Sequence, residues 1–216
     1  MLTKTHDSSG FVGHYPCLDF ANTALIAGRR RPDPLQDFNA LVAWLHEANL
    51  IAAAEARLAL KKWSTGRQAQ QSYARAVLFR MRLVEMVEKL VASGTVPQAS
   101  FKAINEQLRN QVGHVELART KAGFPQRFRR EIQDSRQLLV PLAQSAADLL
   151  SHGDLSLVKR CANPACALYF YDTSKNHTRR WCSMELCGSR MKMAAYYRRQ
   201  KLTGHGSAPT ATGSRR

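Results

Sequence analysis

The sequence predicts a mainly α protein with a small β element: a helical N-terminal domain followed by a small C-terminal four-cysteine zinc-finger module. Three observations predict it. Apolar residues recur at three- and four-residue steps through much of residues 35–150, the period of an amphipathic helix. One stretch, 114–129, alternates around a turn instead, as a hairpin does. Near the end, Cys161, Cys166, Cys182 and Cys187 stand as C-x4-C, fifteen residues, C-x4-C.

Taken in order, Pro16 to Leu25 reads as a short helix or turn with Leu18, Phe20, Ala21 and Leu25 towards a core. Gly28 and the run Arg29-Arg30-Arg31-Pro32 read as an exposed loop. Phe38, Leu41, Val42, Leu45 and Leu50 mark the next helix, with Asp37 as its N-terminal cap. Ala52 to Trp63 follows and stops near Ser64-Thr65-Gly66. A long helix is expected over 67–92, with Val77, Met81, Val84, Val87 and Val91 as its buried stripe, ended by Ser93-Gly94. A shorter helix from Ser100 to Val112 runs through Phe101, Ile104 and Leu108 and closes at Gly113. The hairpin pairs His114–Arg119 with Phe124–Arg129 across Lys121-Ala122-Gly123. Leu138 to Leu150 resumes helix, with Pro141 tolerated in its first turn. The expected division is 1–152 helical, 153–202 finger, and 203–216 a disordered tail without core residues.

Two cysteine pairs about 15–20 residues apart are the mark of a tetrahedral zinc site, each pair giving two thiolates from one turn. Asn163 and Pro164 supply turn chemistry in the first pair, and Ala167–Asp172 is β-prone. Four cysteines imply one structural Zn²⁺ per chain in a closed site, with no coordination position left for water or substrate. His177 reads as a loop residue, because the ligand set is complete without it. Cys17, in the apolar phrase Tyr15-Pro16-Cys17-Leu18, reads as a small buried residue.

Charge points to the partner. The formal net charge is +16, and residues 151–216 hold 12 Lys/Arg against 3 Asp/Glu. Such an excess favours polyanions. Lys175, Arg179 and Arg180 precede the third ligand, and Arg190, Lys192, Arg198, Arg199 and Lys201 follow the fourth. On one continuous helix Arg190 and Lys201 share a face while Lys192 and Arg199 fall nearly opposite. The eight are the candidate DNA contacts, able to neutralise phosphates and, at one or two positions, to read guanine edges. No apolar run approaches the ~18 residues of a membrane span. The first fifteen residues lack the apolar stretch of a signal peptide. The expectation is a reducing, cytoplasmic compartment without a membrane role.

The end of the chain resembles the CGNR zinc-finger proteins. Their hallmark, a basic Arg-Arg-Trp-Cys entry, four residues, then Cys-Gly-Asn-Arg, stands here as Arg179-Arg180-Trp181-Cys182 through Cys187-Gly188-Ser189-Arg190. The departure is Ser189 in place of Asn. Cys17-Leu18-Asp19-Phe20-Ala21-Asn22-Thr23 is similar to the opening of the ABATE domain that accompanies such fingers. The resemblance implies a stress-induced bacterial transcription regulator, whose finger binds DNA and whose larger domain senses something. Duplex DNA is the expected partner, and the helical domain is expected to bind a small effector, to form a homodimer because one finger offers a small footprint on DNA, or both. Asp19, Asn22 and Thr23 are the candidate effector contacts, with His14 and Arg80 as additions; local backbone hydrogen bonding is the competing role for the first three.

Two other classes compete. An RNA-binding module would stack bases on Tyr169, Phe170, Tyr171 and Trp181; a protein-interaction finger would show no salt-sensitive nucleic-acid affinity. An enzyme is not expected: His114-Val115-Glu116 and Pro164-Ala165-Cys166 are similar to a zinc-deaminase signature, but the cysteine spacing fails.

Overall fold

The computed structural model describes residues 11–27 and 32–203. The expected loop at 28–31 and the expected tail beyond 203 lie outside the described residues. Chain order is α1 (Pro16–Ala27), α2 (Phe38–Glu47), α3 (Ala53–Trp63), α4 (Gly66–Ser93) and α5 (Gln98–Leu108). Then come β1 (Gly113–Leu117), β2 (Gln126–Arg130), a 3-10 turn (Ser135–Leu139) and α6 (Val140–His152). The last part holds β3 (Val158–Arg160), β4 (Tyr169–Tyr171), one π-helical turn (Met184–Gly188) and α7 (Ser189–Thr203). β1 pairs with β2 and β3 with β4, both antiparallel.

Local chemistry fixes several boundaries. Asp37 caps α2, its carboxylate accepting from the Ala40 N–H at 2.8 Å. Gly94 ends α4 in the left-handed conformation at φ 68°, where a Cβ would be strained. Pro141 sits at the start of α6, where a missing N–H costs nothing.

The helical core is built on α1, α4 and α6, with α2, α3 and α5 around them. Leu18, Phe20, Leu35, Leu41, Leu45, Leu83, Met86, Leu138, Leu142 and Leu149 are fully buried. Burying such side chains is worth about 1.5–3 kcal/mol each before entropy is charged. Cys17 is buried as expected.

Three expectations need correction. The buried face of α4 is Ala76, Phe79, Arg80, Leu83, Met86, Val87 and Leu90. Of the expected stripe only Val87 belongs to it; Met81 is 60% exposed and Val91 37%. This helix carries apolar residues on two adjacent stripes, and the one with the bulkier Phe, Leu and Met side chains fills the core. α5 ends at Leu108, four residues early, and Gly113 opens β1. Phe101, expected in the core, is 50% exposed. β3, three residues long, was not anticipated at all.

β3 lies against α4 and β4 against α1. Val158, Tyr169 and Tyr171 pack into the helical core, whereas Phe170 faces the cysteines. The period of two along a strand thus splits β4 between two cores.

Candidate metal centre and nucleic-acid interface

Each pair of cysteines is set by its own turn. In the first, the Cys166 N–H donates to the Asn163 carbonyl at 2.8 Å, and Asn163 Oδ1 accepts from the Ala165 N–H at 3.0 Å. In the second, Ser183 caps the π turn by accepting from the Leu186 N–H at 3.3 Å. The two segments are tied by the Ala162 N–H donating to the Arg180 carbonyl at 2.8 Å. At Gly188 a Cβ would lie 2.5 Å from Met184 Sδ and 3.3 Å from the Trp181 ring, so the half-exposed Met184 side chain would have to shift to admit one.

The four sulfurs all lie within 4.8 Å of one another. Cys166 and Cys182 Sγ are 3.8 Å apart, Cys182 and Cys187 Sγ 3.6 Å. A tetrahedron with Zn–S bonds of about 2.3 Å has edges of about 3.8 Å, so the donor set fits zinc in kind and in size. Two further groups orient the sulfurs. The Cys182 N–H donates to Cys161 Sγ at 3.4 Å, and Asn163 Nδ2 donates to Cys187 Sγ at 3.3 Å. Crowded together, the thiols resist ionising at once. The hydrogen bond with Cys182 pushes Cys166 down to about 5, while the same bond and burial push Cys182 up. A thiolate-binding dication relieves that conflict, since it takes its ligands deprotonated. The cysteines form a closed, structural site for one zinc ion.

Beneath the site, Phe170 is fully buried and carries the Arg179 guanidinium 4.6 Å above its ring. Arg179 Nε donates to the Trp181 carbonyl at 2.9 Å, and its Nη2 donates to the Cys182 carbonyl. Arg179, half-buried, therefore braces the segment of the third ligand. Asp172 is buried and accepts from Lys159 Nζ at 2.7 Å, from Ser174 N–H and Oγ, and from the Arg179 N–H at 2.9 Å. Burial alone would raise its carboxyl; these donors, Lys159 foremost, hold it far below the usual range. Asp172 and Lys159 organise the loop after β4, and the sequence reading missed both. The Asp-x-Ser turn at 172–174 was the available signal.

Of the other candidate DNA contacts, Lys175, Arg180, Arg190, Lys192, Arg198, Arg199 and Lys201 are exposed. α7 is exposed along nearly its whole length, with Met193, Tyr196 and Tyr197 each about half exposed. Its main contact is with the π turn that bears Cys187. An open groove of about 500 Å³ beside the finger is lined by Lys159, Arg160, Arg179 and Arg180. Tyr169 and Phe170, expected as base-stacking platforms, are buried and take no part in such a surface.

Among the candidate effector residues, Thr23 and Arg80 are hydrogen-bonded to each other, and the buried ones also bond to the surrounding fold. Asn22 clamps β4: its Nδ2 donates to the Tyr169 carbonyl and its Oδ1 accepts from the Tyr169 N–H, both at 2.8 Å. Asp19 accepts from the Gly13 N–H at 2.7 Å, and burial pushes its carboxyl up to about 7 against the pull of the Gly13 and Val12 N–H groups. Thr23 Oγ1 donates to the Phe20 carbonyl at 2.6 Å and accepts from Arg80 Nη1 at 3.2 Å. Arg80 is buried and pairs with both carboxylate oxygens of Asp33, at 2.8 and 2.6 Å. His14 is exposed and stacks on Tyr171, with 5.9 Å between ring centroids. For Asp19, Asn22 and Thr23 hydrogen bonding within the fold, the competing reading, describes the bonds they make, whereas Arg80 is ion-paired with Asp33 and its buried Nε has no hydrogen-bond partner among the described residues.

A helical body carrying an all-cysteine zinc site and an exposed basic helix defines a zinc-finger protein. The chain belongs to the ABATE family, described as "Putative stress-induced transcription regulator", whose family model matches residues 15–153. The CGNR zinc finger matches residues 158–200. Both families are of regulatory or zinc-finger type, and no curated protein matches the chain. No helix among the described residues is long and apolar enough to cross a membrane.

Proposed function

We propose that this protein is a cytoplasmic DNA-binding transcription regulator in which the zinc site holds α7 for docking on duplex DNA. One observation carries the reading: α7 is basic, exposed along nearly its whole length, and continuous with the metal-bearing turn. A helix that buries no stripe of its own draws little stability from the fold and needs a partner surface. At ~1.5 Å per residue its fifteen residues run about 22 Å, enough to lie along a major groove. Arg190, Arg198 and Lys201 share one broad face and are the groove-facing set; Lys192 and Arg199 meet flanking phosphates. Arg180, Lys175 and Arg160 extend the basic surface beside the finger. Residues 1–152 serve as the body and 153–202 as the reader.

Tyr196 and Tyr197, both half exposed, favour a second reading in which the same helix stacks on single-stranded RNA. Fluorescence anisotropy of the zinc-loaded protein against duplex DNA, single-stranded DNA and RNA, at several salt concentrations, separates the two. Duplex binding should weaken log-linearly with salt, and Arg198→Ala should reduce the slope by about one. Preference for single strands would replace the DNA reading with the RNA one. No salt-sensitive binding at low salt would overturn both and leave a protein-interaction finger.

A further inference from the structure

The hairpin β1–β2 stands apart from the site, and its exposed surface is too apolar for an idle one. Val115 is 61% exposed, Leu117 72% and Phe128 47%. Val115 lies opposite Phe128 in the register, so these three share one face of the ribbon. His114 and Glu116 lie on the other face with Arg127 and Arg129.

The ladder also defines which edge is open. The Ala118 N–H donates to the Pro125 carbonyl and the Glu131 N–H to the Val112 carbonyl. By alternation, residues 112, 114, 116 and 118 bond towards β2, and the N–H and C=O groups of Gly113, Val115 and Leu117 point away from it. Among the described residues no other strand pairs with either one. Unpaired edges of this kind recruit another strand unless they are blunted.

We propose that the outer edge of β1 pairs antiparallel with β1 of a second copy of this chain, about a two-fold axis at Val115. In that register Val115 faces its own counterpart and exchanges both main-chain hydrogen bonds with it, and Gly113 faces Leu117. His114 falls opposite the second copy's glutamate at 116, and Glu116 opposite the second copy's histidine at 114. These are the closely spaced, non-hydrogen-bonded positions, where an imidazole and a carboxylate can share a hydrogen bond across the axis beside the His114–Glu131 and Arg129–Glu116 pairs of each copy. The sequence Gly-His-Val-Glu-Leu is thus complementary to its own reverse, as an isologous interface requires. β2 fails the same test: pairing it with itself about Phe128 sets Arg127 against Arg129. Pairing β1 with β2 of another copy does not close and would build filaments.

The apolar faces of both ribbons then join into one strip of Val115, Leu117 and Phe128 from each copy. Two five-residue edges make a small contact, below about 1,200 Å², so the dimer is of the transient, concentration-dependent kind. Two fingers on one duplex would strengthen it through effective concentration.

Sedimentation velocity of the zinc-loaded full chain without DNA, across the micromolar range, tests this independently of nucleic-acid binding. The expected result is a monomer–dimer equilibrium, with amide exchange at Val115 and Leu117 slowing as concentration rises. Val115→Pro removes an outward N–H that the hairpin itself does not use, and should weaken dimerisation by roughly tenfold or more. Leu117→Lys keeps every backbone donor and should weaken it by placing charge in the strip; it decides the matter if Val115→Pro loses its helical circular dichroism. Arg127→Ala, on the other strand, should leave the equilibrium unchanged. A wild-type monomer throughout, or a dimer that survives folded Leu117→Lys, would overturn the proposal.

Discussion

Tyr169, Phe170 and Tyr171 are consecutive residues of one strand, yet they serve two cores held together by different forces. Tyr169 and Tyr171 face a helical core of leucines, phenylalanines and methionine. Phe170 faces a cluster whose other buried members are Cys161, Cys182 and Cys187. The first core is large enough to stand on area burial. The second buries one large side chain, far too little to offset the ordering of some forty residues. The metal supplies the difference: structural zinc contributes about 10–16 kcal/mol in isolated finger peptides. Two cores of unequal kind, meeting on a three-residue strand, should therefore fail separately.

The largest test is Cys182→Ser. It should abolish stoichiometric zinc, measured by elemental analysis, and release amide protection across 173–200 while leaving that of β4 and most helical circular dichroism in place. Collapse of the whole helical signal would mean that the cores are one cooperative unit.

Next is the joint itself. Asn22→Ala leaves the Tyr169 N–H and carbonyl without partners at a buried site. At about 1–3 kcal/mol for each of the two stranded groups, the loss in urea denaturation should be about 2–6 kcal/mol. Chelator competition should show faster zinc release as well, because β4 carries Phe170. Unchanged release with lowered global stability would mean that the finger does not lean on α1.

These two cases also mark what was readable from sequence. The cysteines, the Asp37 cap, Pro141 and the hairpin were legible because each is a local pattern with a local cause. The role of Asn22 was not: its partner lies 147 residues away, and a buried clamp looks in sequence like any polar residue of a short helix. The bracing bonds of Arg179 were hidden for a related reason. A basic loop residue beside a zinc ligand suits phosphate, and only the position of Phe170 and the Trp181 and Cys182 carbonyls shows these bonds. The buried face of α4 was ambiguous because two stripes satisfy the same period. Val158-Lys159-Arg160 is too short to show any.

A smaller effect separates the regions by pH. Asp19, on the helical side, has its carboxyl raised from 3.8 to about 7 by burial. Between those values the folded chain holds the proton more tightly than the unfolded chain. Its contribution is full below the ordinary carboxylate range and is lost as pH rises through about 7. Asp172, on the finger side, is held low by Lys159, Ser174 and the Arg179 N–H. Its contribution is present above the ordinary range and lost in acid. Asp19→Asn should flatten the fall of thermal stability between about pH 4 and 7, while Asp172→Asn should remove part of the acid loss below it. The same slope in both variants would show that the two carboxyls do not report separate regions.

The smallest effect concerns Ser189, which stands where the finger's hallmark has asparagine. Its Oγ donates to the Met184 carbonyl at 3.1 Å, closing the π turn that bears Cys187 onto the first residue of α7. The bond is exposed, so its loss in Ser189→Ala should cost no more than about 1 kcal/mol. What orients α7 is then the metal, through Cys187 two residues earlier, and duplex affinity should stay within a few-fold of wild type. Ser189→Asn tests the same point from the other side, since the longer amide can reach the same carbonyl. A drop of tenfold or more for Ser189→Ala, with zinc content and thermal stability unchanged, would carry a different meaning. It would place the side chain against DNA and make the base of α7, rather than its basic length, the specific part of the interface.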